Sequence, residues 1–226
     1  GMIGNAWWMH LIWVLGAGVV GFGITAIFAG LLRLKRGWLV LAYAVIGGAF
    51  LYAYFDWSEI DLVDSVRQHW LMGVAGAVVV GFVTVRNVLS QPRSPRSQGG
   101  RLILDLLWFG LVYGALDGIL LSVMPFLASW QAFSELGWLG SGAGTVAAAL
   151  VGLLGSSYVA TTYHLGYPEF RGREVALPIL GNAIMTLGTI LTRNPLTAAL
   201  SHVAMHMAAV VHGMEATVQL PPHYDA

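Results

Sequence analysis

Two histidines near the C-terminus, His202 and His206, have the types and spacing that point most directly to chemistry. They are four residues apart, so both imidazoles project from one face of a helix. A helix uses this arrangement to offer two nitrogen ligands to one zinc-like ion. The same arrangement suits a general base beside an oxyanion-stabilising group. The structural alternative is a pair of histidines that bridge helices through hydrogen bonds to hydroxyls or backbone.

Asp117 and His164 extend this candidate site, because both lie in or at the end of strongly apolar stretches. An ionisable side chain inside a bilayer is costly unless it is paired or hydrated, which makes it a functional candidate. A metal ion, a histidine or a water-filled cavity would relieve the cost of burying the Asp117 carboxylate. The alternative for Asp117 is a protonated carboxyl in a helix–helix hydrogen bond. The predicted catalytic and metal-ligating residues are the same four: Asp117, His164, His202 and His206.

The composition excludes most soluble classes of protein. Of the 226 residues, 57% are hydrophobic and 10% are charged, whereas a soluble domain carries about 25% charged residues. We therefore expect an integral membrane protein rather than a cytosolic enzyme. A formal net charge of zero provides no basic surface for nucleic acid. The absence of cysteine excludes disulfides, thiolate metal sites and thiol nucleophiles.

Seven apolar stretches are long enough, or nearly so, to cross a bilayer as helices of about 20 residues. They cover residues 7–32, 37–55, 70–89, 102–127, 138–163, 175–191 and 195–213. The predicted fold is therefore an all-α, polytopic transmembrane helical bundle of about seven spans. Pro195 begins the last stretch and is favoured at the first position of a helix, so the last two spans are predicted to form a tight hairpin.

A segment rich in Pro, Arg, Ser and Gly, residues 90–101, is predicted to be a cytoplasmic linker. It separates a three-helix front segment, 1–89, from a four-helix back segment, 102–226, that carries the polar site. Alternate loops hold nine of the eleven Lys and Arg residues, and such loops face the cytoplasm. The predicted topology places the N-terminus outside and the C-terminus inside, and the expected location is a bacterial cytoplasmic membrane.

The polar motifs of the back segment resemble those of the CAAX-protease and bacteriocin-processing family of intramembrane proteases. That family carries Glu-Glu-x-x-x-Arg, then Phe-x-x-x-His, then His-x-x-x-Asn or His-x-x-x-Asp on successive helices. The matching positions here are Asp117, Ala160-Thr-Thr-Tyr-His164 and His202-Val-Ala-Met-His206. Ser122 stands where the arginine of the first motif belongs. The resemblance implies cleavage of an amide in a membrane-embedded substrate, with Asp117 activating water and the histidines stabilising the oxyanion.

A second resemblance is to the superfamily of adiponectin receptors and alkaline ceramidases. Its members have seven helices, with His-x-x-x-His on the last, an intramembrane Asp and a further His. They bind zinc through three histidines and hydrolyse lipid amides, and they draw their other ligands from early helices. His10 is the histidine available there in this chain. This resemblance implies a zinc-dependent lipid amidase.

The leading expectation for the function is a protease-like intramembrane hydrolase. The alternatives are a zinc-dependent lipid amidase and a catalytically inactive binding or scaffold protein. The expected cofactor is one zinc-like divalent metal ion. The expected partners are the lipid bilayer and a membrane-embedded peptide or lipid substrate, with no nucleic acid. The hydrolase hypothesis requires Asp117 and His202 to face away from lipid and to lie within about 10 Å, the span of one water-bridged site.

The depth of these residues in the membrane leaves two arrangements open. At about 1.5 Å per residue, His164 near the cytoplasmic boundary and His202 toward the outer side are difficult to place in one ligand set. Either the fifth helix ends deeper in the membrane, or there are two clusters. The two clusters would then be Asp117, His202 and His206 in one, and His164, Glu169 and His212 in the other.

Overall fold

The computed structural model describes residues 7–215 and 219–222. The first residues of the predicted front segment and several of the last residues of the predicted back segment therefore lie outside the described part. The described residues form helices and connecting segments, and no strand occurs among them. The helices are α1 Trp7–Leu31, α2 Arg36–Ser58, α3 Leu62–Arg67, α4 Trp70–Leu89, α5 Gly99–Glu135, α6 Gly142–Leu165, α7 Arg173–Thr192 and α8 Leu196–His212.

The predicted all-α transmembrane bundle is confirmed. Six of the described helices (α1, α2, α4, α5, α6 and α7) are long and apolar enough to cross a membrane. The seventh apolar helix, α8, is shorter, at 17 residues. The short α3 connects α2 to α4, and Asp61 caps it by accepting a hydrogen bond from the Asp64 backbone N–H. The orientation of the bundle in the membrane stays a prediction.

Most of the cations lie at one end of the bundle, which is called the basic end below. Contacts such as Arg36 with the Met214 carbonyl, and Glu215 with Ser94, bring together the segments at this end. The basic end carries Arg33, Lys35, Arg36, Arg93, Arg96, Arg101, Arg171 and Arg173. The front and back segments share their buried hydrophobic clusters: Leu39 and Tyr113 belong to one, and Val80 and Met185 belong to a second, smaller one.

The longest helix, α5, carries Asp117 near its middle. It has 37 residues, whereas about 20 cross the hydrocarbon core, so it extends well beyond the predicted span 102–127. Its hydrogen bonding widens to the π-helical pattern at Leu106–Val112 and again at Gly118–Val123, on either side of Asp117. Such π-helical turns are frequent at functional sites. The second one also leads into Pro125, which the helix accommodates without a break.

Three glycines at four-residue spacing, Gly110, Gly114 and Gly118, let α5 cross α8 at backbone distance. A Cβ atom at Gly114 would lie 2.9 Å from the Cα atom of Val203, and one at Gly118 would lie 2.9 Å from that of Ala199. Small residues commonly permit such close approach between membrane helices. This crossing sets the distance between the polar residues of α5 and those of α8.

We expect Gly114→Ala to lower the melting temperature of the detergent-purified protein, because the added methyl group meets backbone that cannot rotate away. Overpacking of this kind typically costs about 1–3 kcal/mol. The matched control is Gly23→Ala, since a Cβ atom there meets no described atom within 4 Å. Fluorescence-monitored thermal unfolding compares the two variants with the wild type. Identical melting temperatures for all three proteins would contradict the close crossing.

A closed network of buried hydrogen bonds ties α7 to α5 and α6. The Ser122 hydroxyl donates to Asn182 Oδ1 at 2.9 Å, and Asn182 Nδ2 donates to the Ser156 hydroxyl at 2.8 Å. Thr186 closes the network by donating to Ser122 at 2.9 Å. Polar groups in hydrocarbon need such internal partners, because no water is available to them. Ser122 therefore helps to hold Asn182, which lines the cavity described below.

Candidate metal centre

Asp117, His202 and His206 form the single group of potential metal ligands found among the described residues. One ligand atom from each lies within 4.8 Å of the others. Two atoms bound to one ion at about 2.0–2.2 Å lie at most about 4.4 Å apart, so the observed spacing is close to that of a ligand set. All three side chains are buried, with Asp117 4% and His202 3% exposed. The distance and burial required by the hydrolase hypothesis are therefore met.

Several polar atoms of this group lack hydrogen bonds. Asp117 Oδ1 and both ring nitrogens of His202 and of His206 are buried without a hydrogen-bond partner in the described part of the chain. His206 Nε2 does lie 3.2 Å from Asp117 Oδ2, but the contact lacks hydrogen-bond alignment. The two imidazoles stack, with ring centroids 6.1 Å apart. Buried polar atoms without partners are rare in proteins and indicate an ion or ordered water. The donor set suits a divalent ion such as zinc.

His164 lines the same cavity, about 200 Å³ in volume, as these three residues. It is not a member of the compact ligand group. Its Nδ1 atom lies 2.7 Å from the Ala160 carbonyl oxygen. Because a carbonyl accepts hydrogen bonds, Nδ1 must carry the proton, and Nε2 of the neutral imidazole keeps its lone pair. His164 can therefore accept a proton in the cavity.

The second predicted cluster, of His164, Glu169 and His212, does not form a ligand group in the described structure. His212 lies against the linker instead, where its Nε2 donates to the Gln91 carbonyl at 2.8 Å. Glu169 is exposed in the segment between α6 and α7. His164 and His202 were expected to lie at different depths in the membrane. The cavity spans that difference, because it reaches from His202 to Tyr167, just beyond the end of α6. All four predicted residues line this one cavity.

Four buried tyrosines form a cluster near the ligand group, and no sequence signal marked them. They are Tyr43, Tyr113, Tyr163 and Tyr167, each no more than 4% exposed. The first three interact electrostatically with Asp117, and Tyr167 contacts Tyr163. The hydroxyls of Tyr113 and Tyr163 are 3.0 Å apart, and those of Tyr163 and Tyr167 are 3.1 Å apart. The Tyr113 ring meets the His206 ring edge-on, with centroids 4.8 Å apart. Tyr113 also lines the cavity, and a phenol hydroxyl is a group that can stabilise an oxyanion.

His10, the histidine of the early helices, lies apart from this site. Its Nε2 atom is 3.0 Å from Glu135 Oε1, and its Nδ1 atom is 3.2 Å from the Tyr54 hydroxyl. Glu135 ends α5 roughly 27 Å along the helix from Asp117, at about 1.5 Å per residue. The early helices therefore contribute no ligand to the group among the described residues, and His10 does not complete a three-histidine zinc site with His202 and His206.

Residues of α4 and α7 form one wall of the cavity. Val83 of α4 and Leu180 of α7 both line it, and they are 49% and 60% exposed. Elsewhere α4 and α7 are in close contact, as shown by Gly188: a Cβ atom there would lie 2.8 Å from Val80 Cγ2. Apolar side chains exposed on a membrane-spanning helix face hydrocarbon. This wall of the cavity therefore lies at the lipid-facing surface of the bundle.

No protein-family model, no curated protein and no solved structure matches this chain. Both family resemblances therefore stay predictions. The structural features that bear on function are the buried Asp/His/His group and the cavity around it, one wall of which faces the bilayer.

Proposed function

We propose that this chain is a membrane-embedded, divalent-metal-dependent hydrolase that cleaves an amide bond of a substrate residing in the bilayer. The observation that carries the proposal is the convergence of Asp117, His202 and His206 in a cavity with a lipid-facing wall, with most of their polar atoms lacking partners. A divalent ion bound there would polarise the substrate carbonyl and lower the pKa of water. Three protein ligands are the number that catalytic zinc sites use, which leaves a position for water or substrate.

The unpartnered nitrogens also argue against a purely structural pair of histidines. Histidines that bridge helices satisfy their ring nitrogens with hydroxyls or carbonyls, because an unmet buried donor costs about 1–3 kcal/mol. Neither His202 nor His206 makes such a bond within the described residues. Asn182 and Ser156, in the neighbouring network, show what a satisfied structural contact looks like in this bundle.

The remaining side chains of the cavity supply acid–base and oxyanion groups. His164 accepts a proton from the attacking water at Nε2, while its Nδ1–H stays bonded to Ala160. The Tyr113 hydroxyl donates to the carbonyl oxygen as negative charge develops there. The His164 imidazolium then returns the proton to the leaving amine. Asp117 serves as a ligand in this scheme, and the role of base passes to His164.

The experiment that tests the function uses zinc-loaded protein in detergent with two probes, a fluorescent N-acyl lipid and a quenched transmembrane peptide. Mass spectrometry identifies the products, and the probe that is cleaved assigns the substrate class. We expect His202→Ala to reduce turnover by more than about 100-fold, because His202 belongs to the ligand group and loss of an outer-shell partner alone costs about 10–100-fold. The exposed His69 provides the control, and His69→Ala keeps the wild-type rate. Wild-type turnover by His202→Ala would overturn the assignment.

A further inference from the structure

A second cavity, of about 410 Å³, lies at the basic end between the beginnings of α2 and α5. It shares no lining residue with the cavity of the candidate metal centre. Three cations, Lys35, Arg36 and Arg101, and one carboxylate, Glu215, line it together with the indoles of Trp38 and Trp108. Indole rings favour the headgroup level of a membrane. We refer to this space as the headgroup cavity.

Arg36 builds one wall of the headgroup cavity. Its side chain is 6% exposed and lies 3.6 Å from the Glu215 carboxylate. Its Nε atom donates to the Pro221 carbonyl at 2.6 Å, and Nη2 donates to the Met214 carbonyl at 3.1 Å. The guanidinium is thus occupied in fixing the chain beyond α8. The donors left for a ligand belong to the other two cations.

Lys35 and Arg101 present those donors. Arg101 uses only Nε for its 3.1 Å ion pair with Asp105, and its side chain is 71% exposed. Its two terminal amino groups make no hydrogen bond to the described residues, and a guanidinium offers five N–H donors. Lys35 is exposed and makes no ion pair within the described ranges. A phosphodiester anion matches this pair of cations, since Arg can bind it in bidentate fashion and Lys as a point charge.

Two apolar grooves leave the headgroup cavity along the membrane-facing surface. One follows α2 to Ile46 and shares Trp38 and Leu41 with the cavity. The other overlaps the cavity from Arg101 to Phe109, contains the Arg101–Asp105 ion pair at its polar end, and follows α5 to Val112. The first runs roughly 12 Å from Trp38, and the second roughly 16 Å from Arg101, at about 1.5 Å per residue. Half of the hydrocarbon core is about 15 Å thick. The groove along α2 is therefore somewhat shorter than one leaflet, and the cavity together with the groove along α5 spans about one leaflet.

We propose that the headgroup cavity and its two grooves bind one anionic diacyl phospholipid from the leaflet at the basic end. The phosphodiester contacts Lys35 and Arg101, and one acyl chain lies in each groove. Basic cavities at the ends of membrane helices bind anionic headgroups by this combination of charge and apolar contact. The grooves favour a phospholipid over a free phosphate, which would leave them uncovered. This site is independent of the proposed hydrolase activity.

Native mass spectrometry of the full chain in detergent tests the proposal with phosphatidylglycerol, phosphatidylcholine and glycerol phosphate as probes. We expect one phosphatidylglycerol per chain, bound at least about tenfold more tightly than phosphatidylcholine, and no stable glycerol phosphate adduct. The double variant Lys35→Ala/Arg101→Ala should weaken phosphatidylglycerol binding about 30-fold. The matched control is Arg93→Ala/Arg96→Ala, which removes two exposed linker cations of the same end and should change binding less than about threefold.

A groove variant tests the acyl-chain contacts separately. Ala42 lines the groove along α2, and Ala42→Trp fills it without changing any charge. We expect this variant to keep the wild-type melting temperature and to lose at least about tenfold in phosphatidylglycerol affinity. Equal losses in both charge variants, equal affinity for the two phospholipids, or full binding by Ala42→Trp would each overturn the proposal. Glycerol phosphate binding as tight as that of phosphatidylglycerol would assign the cavity to a free phosphate instead.

Discussion

Wild-type protein that is loaded with zinc and desalted in detergent is expected to retain about one zinc ion per chain, whereas His206→Ala is expected to retain none. His206 belongs to the buried ligand group with Asp117. Loss of an outer-shell partner alone weakens metal affinity by about 10–100-fold, so loss of a ligand should exceed that range. Elemental mass spectrometry on both proteins measures the occupancy.

The control for this measurement is His212→Ala, which changes the same residue type on the same helix. His212 donates to the Gln91 carbonyl and does not line the cavity of the ligand group, so its loss should leave metal content at the wild-type value. Equal zinc in His206→Ala and wild type would remove the metal centre from the proposal. Zinc lost equally from both variants would indicate a general effect of destabilising α8.

Metal binding should also be visible in thermal stability, because an ion that binds only the folded chain stabilises it. At a free zinc concentration about 100 times the Kd, the stabilisation is about 2.7 kcal/mol. Adding a chelator should therefore lower the melting temperature of the wild type and leave that of His206→Ala unchanged. A structural histidine pair predicts a different result. His206→Ala would then melt at a lower temperature than the wild type with or without the chelator, and the chelator would not change the melting temperature of the wild type.

The parts of the site that the sequence predicts are those whose signal is local. The one-turn spacing of His202 and His206 places them on one face of any helix, whatever its neighbours. Asp117 stands out because a carboxylate in an apolar stretch needs a partner within the bundle. The helical architecture follows equally directly from the lengths of the apolar stretches. These features require no knowledge of how the helices pack.

The tyrosines and glycines around the site depend on packing, and the sequence alone did not reveal them. Tyr43, Tyr113 and Tyr163 come from three different helices, and a tyrosine in an apolar stretch is not conspicuous. The four-residue spacing of Gly110, Gly114 and Gly118 was a readable signal for a close helix crossing. That signal was obscured because the chain has 29 glycines, many of them also in apolar stretches.

The second large effect is expected for His164→Ala, which should keep about one zinc ion per chain while kcat falls by about 10²–10⁴-fold on whichever probe the wild type cleaves. His164 lies in the cavity but outside the compact ligand group, and its Nε2 lone pair is available to accept a proton. The substitution leaves no orphaned acceptor, because the Ala160 carbonyl lies within α6, where the helix supplies a backbone N–H.

Comparison of the two histidine variants separates the roles of ligand and base. His206→Ala should lose metal and turnover together, whereas His164→Ala should lose turnover alone. The pH dependence adds a readout that a structural role would not change, because removing the base should abolish the rise in kcat with pH that its deprotonation produces. Loss of zinc from His164→Ala would make this residue a fourth ligand, and the water would then need another base. Unchanged kcat with full metal content would exclude His164 from the reaction, and Asp117 would become the remaining buried acid–base candidate among the four residues predicted from the sequence.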